Sequence, residues 1–413
     1  MTSDVPRETF ARQVEAVREA SNKPKILWHS AAPWAPTAYG QQSAYAVSLM
    51  RDQVEVAFSA YFGSHTFLGP QFGQHLVFGN PWAITDPYGF RSLGIASAEW
   101  NPDAIVMFGD AHTLPINSVA VLNRPGVIWT PIDHDPVPPL TVELLSDYVR
   151  QRKSHIVATP SLRGQQMLKN EGIEAVHLPH VVPDDFFSPP ARDVARAEWG
   201  IDPDHFLFLM VGANDGTPPR KGYVEVIDAF ADVVRLNPHA RLMIIGDMAP
   251  LGGVNLTNHA HERGVADELL YVDTASRLVK LHDHRKLVSF YAAADAFVSA
   301  SYGEGFCIPV AEAMATSTPV IAPKHTGYLR WEGGIELRKF TPHYTGRDSY
   351  FFKPNVNELR DAMCEMIATS PAARSAMGER GHHRAIEDFA APIVSMHWQR
   401  VLNLLEEGRT NGG

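Results

Sequence analysis

Cysteine is scarce in this 413-residue chain, which contains Cys307 and Cys364 and no others. Two cysteines exclude a disulfide framework and a cysteine-rich zinc site, and they favour a reducing, cytoplasmic setting. No run of about 18 apolar residues occurs, so we predict neither a membrane-spanning helix nor stable membrane insertion. No Gly-x-Gly-x-x-Gly follows a predicted strand, which argues against a dehydrogenase.

Positive charge is also in short supply, because 36 Lys and Arg face 46 Asp and Glu and leave a net charge of -10. An acidic surface repels nucleic acid and anionic lipid, so nucleic acid is a less favoured partner. Residues 1–20 lack the apolar core of a secretory signal and predict an amphipathic helix packed on the protein surface. The histidine clusters at 282–284 and 382–383 lack a second half at metal-site spacing, so we predict no metal site.

Short apolar runs alternate with helical patterns along most of the chain. In a parallel sheet covered by helices on both faces, the strands read as such continuous apolar runs. The pattern therefore predicts an α/β protein with two parallel sheets. The predicted strands are 25–29, 103–108, 127–130 and 155–158 in the first half, and 206–211, 241–245, 296–299 and 319–322 in the second.

A segment rich in proline and acid, 180–190, interrupts this rhythm and predicts a linker. We therefore expect an N-terminal Rossmann-like domain at 1–185, a C-terminal Rossmann-like domain at 186–385, and a C-terminal helix and tail at 386–413. The helical stretch before the tail should break near 390–392, where Ala-Ala-Pro occurs. Ligands of such sheets bind beyond the carboxyl ends of the strands, so the site is expected in the cleft between the domains.

The loop that follows the strand at 296–299 carries the most informative residues. Pro309 suits the first turn of a helix, which places Glu304 before that helix and Glu312 about one turn inside it. The N–H groups expected to point out of the helix start, where they attract phosphate, belong to Phe306, Cys307 and Ile308. A carboxylate beside phosphate must instead accept hydrogen bonds from hydroxyls or steady a positive centre, and hydroxyls beside a diphosphate describe a sugar nucleotide. The plainer alternative makes Glu304 a helix-cap acid and Glu312 a surface residue.

A second loop, after the strand at 206–211, carries Arg220 and Lys221 at the same edge of the second sheet. Arginine offers a flat fork of donors and lysine a point charge, and both match the oxygens of a diphosphate. The alternative interpretation is an ordinary pair of solvated cations.

The order of strand, Arg-Lys loop, helix and then Glu304-x7-Glu312 resembles the retaining GT-B glycosyltransferases of family 4. The resemblance implies a GT-B fold in which the C-terminal helix returns to the first domain. It also implies that Arg220 and Lys221 hold the departing diphosphate and that Glu304 contacts hydroxyls of the donor sugar. Glu312 would bind the ribose hydroxyls, and backbone N–H groups near Phe306 and Cys307 would assist.

The first half resembles the family more loosely. The loop 32–40 is similar to the glycine loop that approaches the donor diphosphate, with Tyr39 beside Gly40, whose missing side chain would allow that approach. Many family members place a histidine near the donor sugar, and either Asp133 or His134 could align with it. The alternative for His134 is a loop residue that orders its own turn. His112 is a weaker candidate for binding the acceptor.

Three departures from the family pattern stand out. Gly212-Ala213 occurs where many relatives have Gly-Arg, so Arg220 must supply that charge. Cys307 occupies a position that is often glycine, which narrows the expected donor pocket. The paired glycines of the first loop are reduced to Gly40.

Together these features predict a retaining glycosyltransferase that moves a sugar from a nucleoside-diphosphate sugar to an acceptor hydroxyl. No Asp-x-Asp signature stands where one would be expected, so we predict a reaction that needs neither metal nor another cofactor. A sugar-nucleotide 2-epimerase on the same fold and a non-catalytic nucleotide-sugar-binding protein are the alternatives. The donor stays open, and so does the acceptor, which could be a small molecule, glycan, lipid, protein or modified base.

Overall fold

A computed structural model describes residues 22–66, 71–216, 219–273, 284–325, 327 and 331–410. The helix predicted at 1–20 and most of the histidine cluster at 282–284 lie outside these ranges. The described chain contains two parallel sheets covered by helices, which confirms the predicted α/β class.

Seven parallel strands form the first sheet. They are β1 (Lys25–Ala31), β2 (Glu55–Phe62), β3 (Val77–Phe78), β4 (Ala104–Phe108), β5 (Gly126–Trp129), β6 (His155–Thr159) and β7 (Ala175–His177), in the spatial order β3-β2-β1-β4-β5-β6-β7. The helices that cover this sheet are α1 (Ala38–Met50), α2 (Phe90–Trp100), α3 (Val119–Leu122), α4 (Pro139–Gln151) and α5 (Leu162–Asn170).

Six parallel strands form the second sheet. They are β8 (Phe206–Val211), β9 (Ala240–Gly246), β10 (Leu269–Asp273), β11 (Ala296–Val298), β12 (Val320–Pro323) and β13 (Gly334–Leu337), in the order β10-β9-β8-β11-β12-β13. The helices of this half are α6 (Arg192–Trp199), α7 (Tyr223–Leu236), α8 (Leu256–Arg263), α9 (His284–Ala293), α10 (Ile308–Ala315), α11 (Val356–Ala368) and α12 (Pro371–Phe389). An antiparallel hairpin, β14 (Phe340–Tyr344) and β15 (Tyr350–Pro354), stands apart from both sheets.

The central strands form because they are continuous apolar runs that helices cover on both faces. All five residues of β4 are buried, as are four of the six in β8. All the strands predicted from sequence are present, with ends displaced by no more than two residues. Strands β2, β3, β7, β10 and β13 and the hairpin were not predicted.

The long C-terminal helical stretch breaks where the sequence predicts. Helix α12 ends at Phe389, Ala390 has extended backbone angles, and α13 runs over Ala391–Thr410. The buried Trp398 of α13 packs its ring 5.4 Å from that of Trp28 and 5.3 Å from that of Trp129, both in the first sheet. The last helix thus returns to the first half of the molecule, as the resemblance implies.

The predicted linker is packed in part: Val181, Val182 and Phe186 are buried, whereas its acidic residues are exposed. It contains a short 3-10 helix, Asp184–Phe187, whose Phe186 is buried in the core of the second half. The amide of Val182 donates to the carbonyl oxygen of Phe389 at 3.0 Å, which ties the linker to the end of α12. Among the described helices, none is both long and apolar enough to cross a membrane.

Candidate active site

Two loops meet at the carboxyl edge of the second sheet because β8 and β11 are neighbouring parallel strands. The loop after β8 carries Arg220 and Lys221, and the loop after β11 carries Glu304. The amide of Tyr302 donates to the carbonyl oxygen of Arg220 at 2.7 Å and joins the two loops directly. The structure therefore brings together the two cations and the acid that sequence analysis assigned to one site.

Glu304 is the centre of this cluster. Lys221 Nζ lies 2.5 Å from its Oε1, and an Arg220 guanidinium nitrogen lies 3.2 Å from its Oε2. The hydroxyl of Ser301 also donates to Oε1 at 2.7 Å. Glu304 is 7% exposed, so it is a buried acid with basic and polar partners on both oxygens.

The two cations decide the ionisation of Glu304. Burial acts to raise the pKa of this carboxyl group, but Lys221, Arg220 and the hydrogen bonds from Lys221 and Ser301 outweigh burial and lower the pKa to about 2. Burial acts to lower the pKa of Arg220, and the charges of Glu304 and Asp133 reverse this effect and raise the pKa. Glu304 and Arg220 are therefore both charged at neutral pH.

Two glycines let the first half approach Glu304 closely. A Cβ atom at Gly303 would lie 2.4 Å from the carbonyl oxygen of Asp133, and one at Gly305 would lie 2.2 Å from Cβ of Pro131. Such distances are too short for any side chain, so both positions require glycine. The Gly303-Glu304-Gly305 tripeptide of the second half thus lies directly against the loop of the first half that contains Pro131 and Asp133.

Asp133 is the acid that the first half adds to the site. Burial acts to raise its pKa, but the hydrogen bond from His134 and the charges of His134 and Arg220 outweigh burial and lower the pKa. Nδ1 of His134 lies 2.6 Å from Asp133 Oδ1, and the His134 ring packs 4.2 Å from that of Phe351. Asp133 is therefore electrostatically coupled to Arg220 and Glu304, while His134 orients it.

A second acid of the first half lies beside Asp133. The hydroxyl of Tyr39 donates to Asp110 Oδ1 at 2.8 Å. Burial, and then the charge of Asp133, raise the pKa of Asp110. Asp110 had no predicted role, although its position two residues after β4, at the same sheet edge as Asp133, is a signal that could have identified it.

His112 lies at the exposed rim of the same region. Its Nδ1 is 3.4 Å from a guanidinium nitrogen of Arg347, which belongs to the hairpin of the second half. Burial, and then the positive charge of Arg347, lower the pKa of His112. His112 therefore faces the gap between the halves, and among the described residues it has no hydrogen bond with Glu304.

Glu312 stands apart from the Glu304 cluster. It is the fifth residue of α10, and its Oε2 accepts a hydrogen bond from the Tyr291 hydroxyl at 2.8 Å. Burial raises the pKa of Glu312 to about 7, although the Tyr291 hydrogen bond opposes the change. Unlike Glu304, this acid lacks a cation among its contacts in the described chain.

Cys307 lies between Glu304 and Glu312 in the chain and lines the site. Cys307 has φ of 70°, a left-handed conformation that explains why glycine suits this position. Burial raises the pKa of the Cys307 thiol to about 12, so it is not a nucleophile at neutral pH. Lys221, Glu304 and Cys307 line one small pocket.

Phe306 and Ile308, the other two predicted residues of this loop, have different surroundings. The Phe306 ring packs in the core, 4.8 Å from the ring of His180. Ile308 is half-buried at the start of α10.

Gly40 has a structural explanation of its own. It is the third residue of α1, and its amide donates to the Thr37 hydroxyl that caps this helix. A Cβ atom here would lie 2.5 Å from the carbonyl oxygen of Ala32 and 2.7 Å from that of Ala35. The folding of its own loop requires glycine, and contact with a donor stays a prediction.

The tripeptide Asp133-His134-Asp135 has the spacing of an Asp-x-Asp motif, although no such metal-binding signature was predicted from the sequence. The two carboxylates have different basic partners: Asp133 contacts His134, whereas Asp135 Oδ2 accepts from Arg163 at 2.6 Å. The spacing by itself therefore does not make the two acids one ligand set.

The C-terminal half matches a known family. Residues 191–382 match the family model described as glycosyl transferases group 1, a range that contains Arg220, Lys221, Glu304 and Glu312.

Individual relatives cover less of the chain. A D-inositol 3-phosphate glycosyltransferase of Segniliparus rotundus is 31% identical over 180 residues, which cover 39% of this chain and 37% of that protein. A trehalose synthase of Thermococcus litoralis is 27% identical over 208 residues, covering 50% of this chain and 45% of the relative. The matches thus span less than half the length of these relatives.

A solved structure extends the likeness to the whole fold. The sucrose-phosphate synthase of Thermosynechococcus elongatus superimposes with a TM-score of 0.71 at 18% identity, covering 94% of this chain and all of that one. At this identity the likeness shows the fold alone, which is the two-sheet GT-B architecture described above. Within that fold, residues 191–382 match the glycosyl transferases group 1 model, and this is the family that the chain resembles.

Proposed function

We propose that this protein is a retaining glycosyltransferase that moves a sugar from a nucleoside-diphosphate sugar to an acceptor hydroxyl without a metal ion. The observation that carries the proposal is the contact of Glu304 with both Lys221 and Arg220 at one sheet edge. Cations at this edge match a diphosphate, and an ionised acid between them matches sugar hydroxyls.

The donor would bind by exchanging partners within this cluster. The diphosphate takes hydrogen bonds from Arg220 and Lys221 that Glu304 holds in the free protein. Glu304 then becomes available to accept hydrogen bonds from donor-sugar hydroxyls. Because the site is largely buried, fixed charges act on the departing diphosphate more strongly than they would in water.

In the transfer step, the bond between the anomeric carbon and the diphosphate oxygen breaks, and the acceptor oxygen bonds to the same carbon. The acceptor attacks from the face that the diphosphate leaves, so the configuration is retained. The acceptor proton passes to a phosphate oxygen, and a nucleoside diphosphate is released. Asp133 and Glu304 would steady positive charge that develops on the sugar.

The names of the matched relatives, a D-inositol 3-phosphate glycosyltransferase and a trehalose synthase, support sugar transfer as the reaction. Free Cys307 and Cys364 fit a reducing compartment, so we place the reaction in the cytoplasm. The identities of the donor base, the sugar and the acceptor are questions for experiment.

A panel of nucleotide sugars tests the proposal. We expect one class of nucleoside-diphosphate sugar to raise the melting temperature and to be slowly hydrolysed with chelator present. With an acceptor, NMR should show a product with the donor's anomeric configuration. Conversion of the donor into a second nucleotide sugar without acceptor would indicate an epimerase, and binding without turnover would indicate a binding protein. Product of inverted configuration would contradict retention.

A further inference from the structure

The hairpin formed by β14 and β15 contacts both halves of the molecule, although it belongs to neither parallel sheet. On the side of the second half, the amide of Phe352 donates to the carbonyl oxygen of Tyr302 at 2.8 Å. Tyr302 lies two residues before Glu304. One strand of the hairpin is therefore bonded directly to the loop that carries the central acid of the site.

Two residues earlier, the same strand is bonded to the first half. The amide of Asp135 donates to the carbonyl oxygen of Tyr350 at 3.1 Å, and the amide of Tyr350 donates to the carbonyl oxygen of Asp135 at 3.3 Å. The hydroxyl of Ser349 donates to the carbonyl oxygen of Pro136. The hairpin thus forms a short antiparallel bridge to the loop that carries Asp133 and His134.

A side chain between these two bonds completes the connection. The Phe351 ring packs 4.2 Å from the His134 ring at an angle of 33°, and both residues are buried. A Cβ atom at Gly303 would lie 2.5 Å from Cδ1 of Phe351 and 2.4 Å from the carbonyl oxygen of Asp133. Phe351 therefore lies beside Gly303, where the Asp133 loop and the Glu304 loop approach each other closely.

We propose that the hairpin at 340–354 is an interdomain clasp that sets the position of the Asp133–His134 pair relative to Glu304. Phe351 is then a positioning residue for sugar transfer, because its side chain contacts the His134 ring and acts on the site through it. The proposal rests on the proposed function for its kinetic consequences, whereas the clasp itself can be measured without turnover.

The clasp has a specific kinetic consequence. The donor-binding cations lie entirely in the second half, so loosening the first-half loop leaves them in place. The alignment of Asp133 against the reacting sugar is lost instead, and misplacement by about 1 Å can cost about 10²-fold in rate. Loosening the clasp should therefore lower kcat while leaving donor affinity nearly unchanged.

Phe352 provides a matched control for Phe351. It is the next residue on the same strand, so its side chain points to the opposite face, where its ring lies 5.5 Å from that of His325 in the second half. Phe351→Ala removes the contact with His134, whereas Phe352→Ala removes a similar ring without touching the first half.

The experiment compares both variants with wild type, using the nucleotide sugar that gives the largest thermal shift. We expect Phe351→Ala to lower kcat about tenfold, a loss similar to that expected for removing the Asp133 charge, with donor affinity, measured by calorimetry, within about threefold of wild type. Phe352→Ala should keep kcat within about threefold, and Phe351→Tyr should restore most of the rate lost in Phe351→Ala. Equal kcat losses in both alanine variants, or a loss of donor affinity in Phe351→Ala, would overturn the proposal.

Hydrogen exchange gives a readout that does not need activity. The amides of Asp135 and Tyr350 should exchange about tenfold faster in Phe351→Ala than in Phe352→Ala. If wild type turns over no nucleotide sugar, the proposed function fails while the exchange result still decides the clasp. If Phe351→Ala does not fold, Ser349→Ala serves instead and should speed exchange of the same two amides. Unchanged exchange in every folded variant would contradict the clasp.

Discussion

The two halves share one architecture, yet they present opposite charges to the cleft. The second half contributes Arg220 and Lys221 around Glu304, whereas the first contributes Asp110 and Asp133. A diphosphate is attracted to the cations of the second half and repelled by the acids of the first half. For the proposed function, this difference favours donor binding in the second half, with the acids of the first half acting on the acceptor or on positive charge in the transferred sugar.

The pKa values of two acids in the second half, Glu304 and Glu312, also depend on the charges that surround them. Glu304, next to two cations, has a pKa of about 2, whereas Glu312, eight residues later and without a described cation contact, has a pKa of about 7. Both residues are glutamates, one in the loop before α10 and one inside that helix. The side chains around each carboxyl group, and not the residue type, therefore set its pKa. The comparison yields four predictions, which run from the largest expected effect to the smallest.

The largest effect should come from Glu304→Gln. The change removes the charge that contacts both cations and that we propose accepts hydrogen bonds from the sugar, and we expect transfer to fall about 10²- to 10³-fold. Glu336→Gln is the control, because Glu336 is a partly exposed acid of β13 that contacts Lys324 and Arg338. Steady-state rates with the fold checked by circular dichroism decide the matter. Rates for Glu304→Gln near wild type would remove this residue from the site.

Lys221→Ala should affect donor binding next most strongly. Loss of one charge-assisted hydrogen bond to the diphosphate is expected to weaken donor affinity about 10- to 100-fold. Calorimetry with an intact nucleotide sugar measures this directly, and Lys324→Ala, a more exposed lysine of the same half, is the control. Equal affinities for the two variants would show that Lys221 does not contact phosphate.

Asp133→Asn tests the first half. Removing one charge that acts through space should lower kcat about tenfold, equivalent to about 1.4 kcal/mol in the barrier, without weakening donor binding. Asp135→Asn is the control, because that carboxylate contacts Arg163. A loss of donor affinity in Asp133→Asn would contradict the proposal that only the second half binds the donor.

The smallest effect concerns pH and Glu312. Its pKa of about 7 means that the carboxylate gains a proton as pH falls from 8 to 6, and a protonated acid accepts fewer hydrogen bonds from ribose. We expect donor affinity of wild type to weaken severalfold over this range, and that of Glu312→Gln to stay flat. Tyr291→Phe removes a hydrogen bond that lowers the Glu312 pKa, so the change should move to higher pH. A pH-independent wild type would contradict a ribose contact.

Sequence predicted the parts of the fold that depend on local patterns. Strands β4 and β8 are uninterrupted apolar runs, and β1 and β9 each contain a run of at least three consecutive apolar residues, so the sequence alone predicts that they are buried strands. The sequence of β14, Phe-Thr-Pro-His-Tyr, has no such run, and three of its five residues are exposed. Its hairpin is held by backbone bonds to distant loops, which local patterns do not encode.

The same distinction applies to the site. Arg220, Lys221 and Glu304 could be placed together because parallel neighbouring strands end at one edge. Whether Asp133 or His134 is coupled to Glu304 depends on how the halves pack at Gly303 and Gly305, which is a tertiary property. Close approach at those two glycines could be seen only in the structure.

A crystal structure of the protein soaked with an intact nucleotide sugar tests the proposed donor site most directly. We expect the diphosphate within hydrogen-bond distance of Arg220 and Lys221, with a sugar hydroxyl bound to Glu304. A donor bound to the first half, with those three side chains still in contact only with one another, would contradict the proposed site.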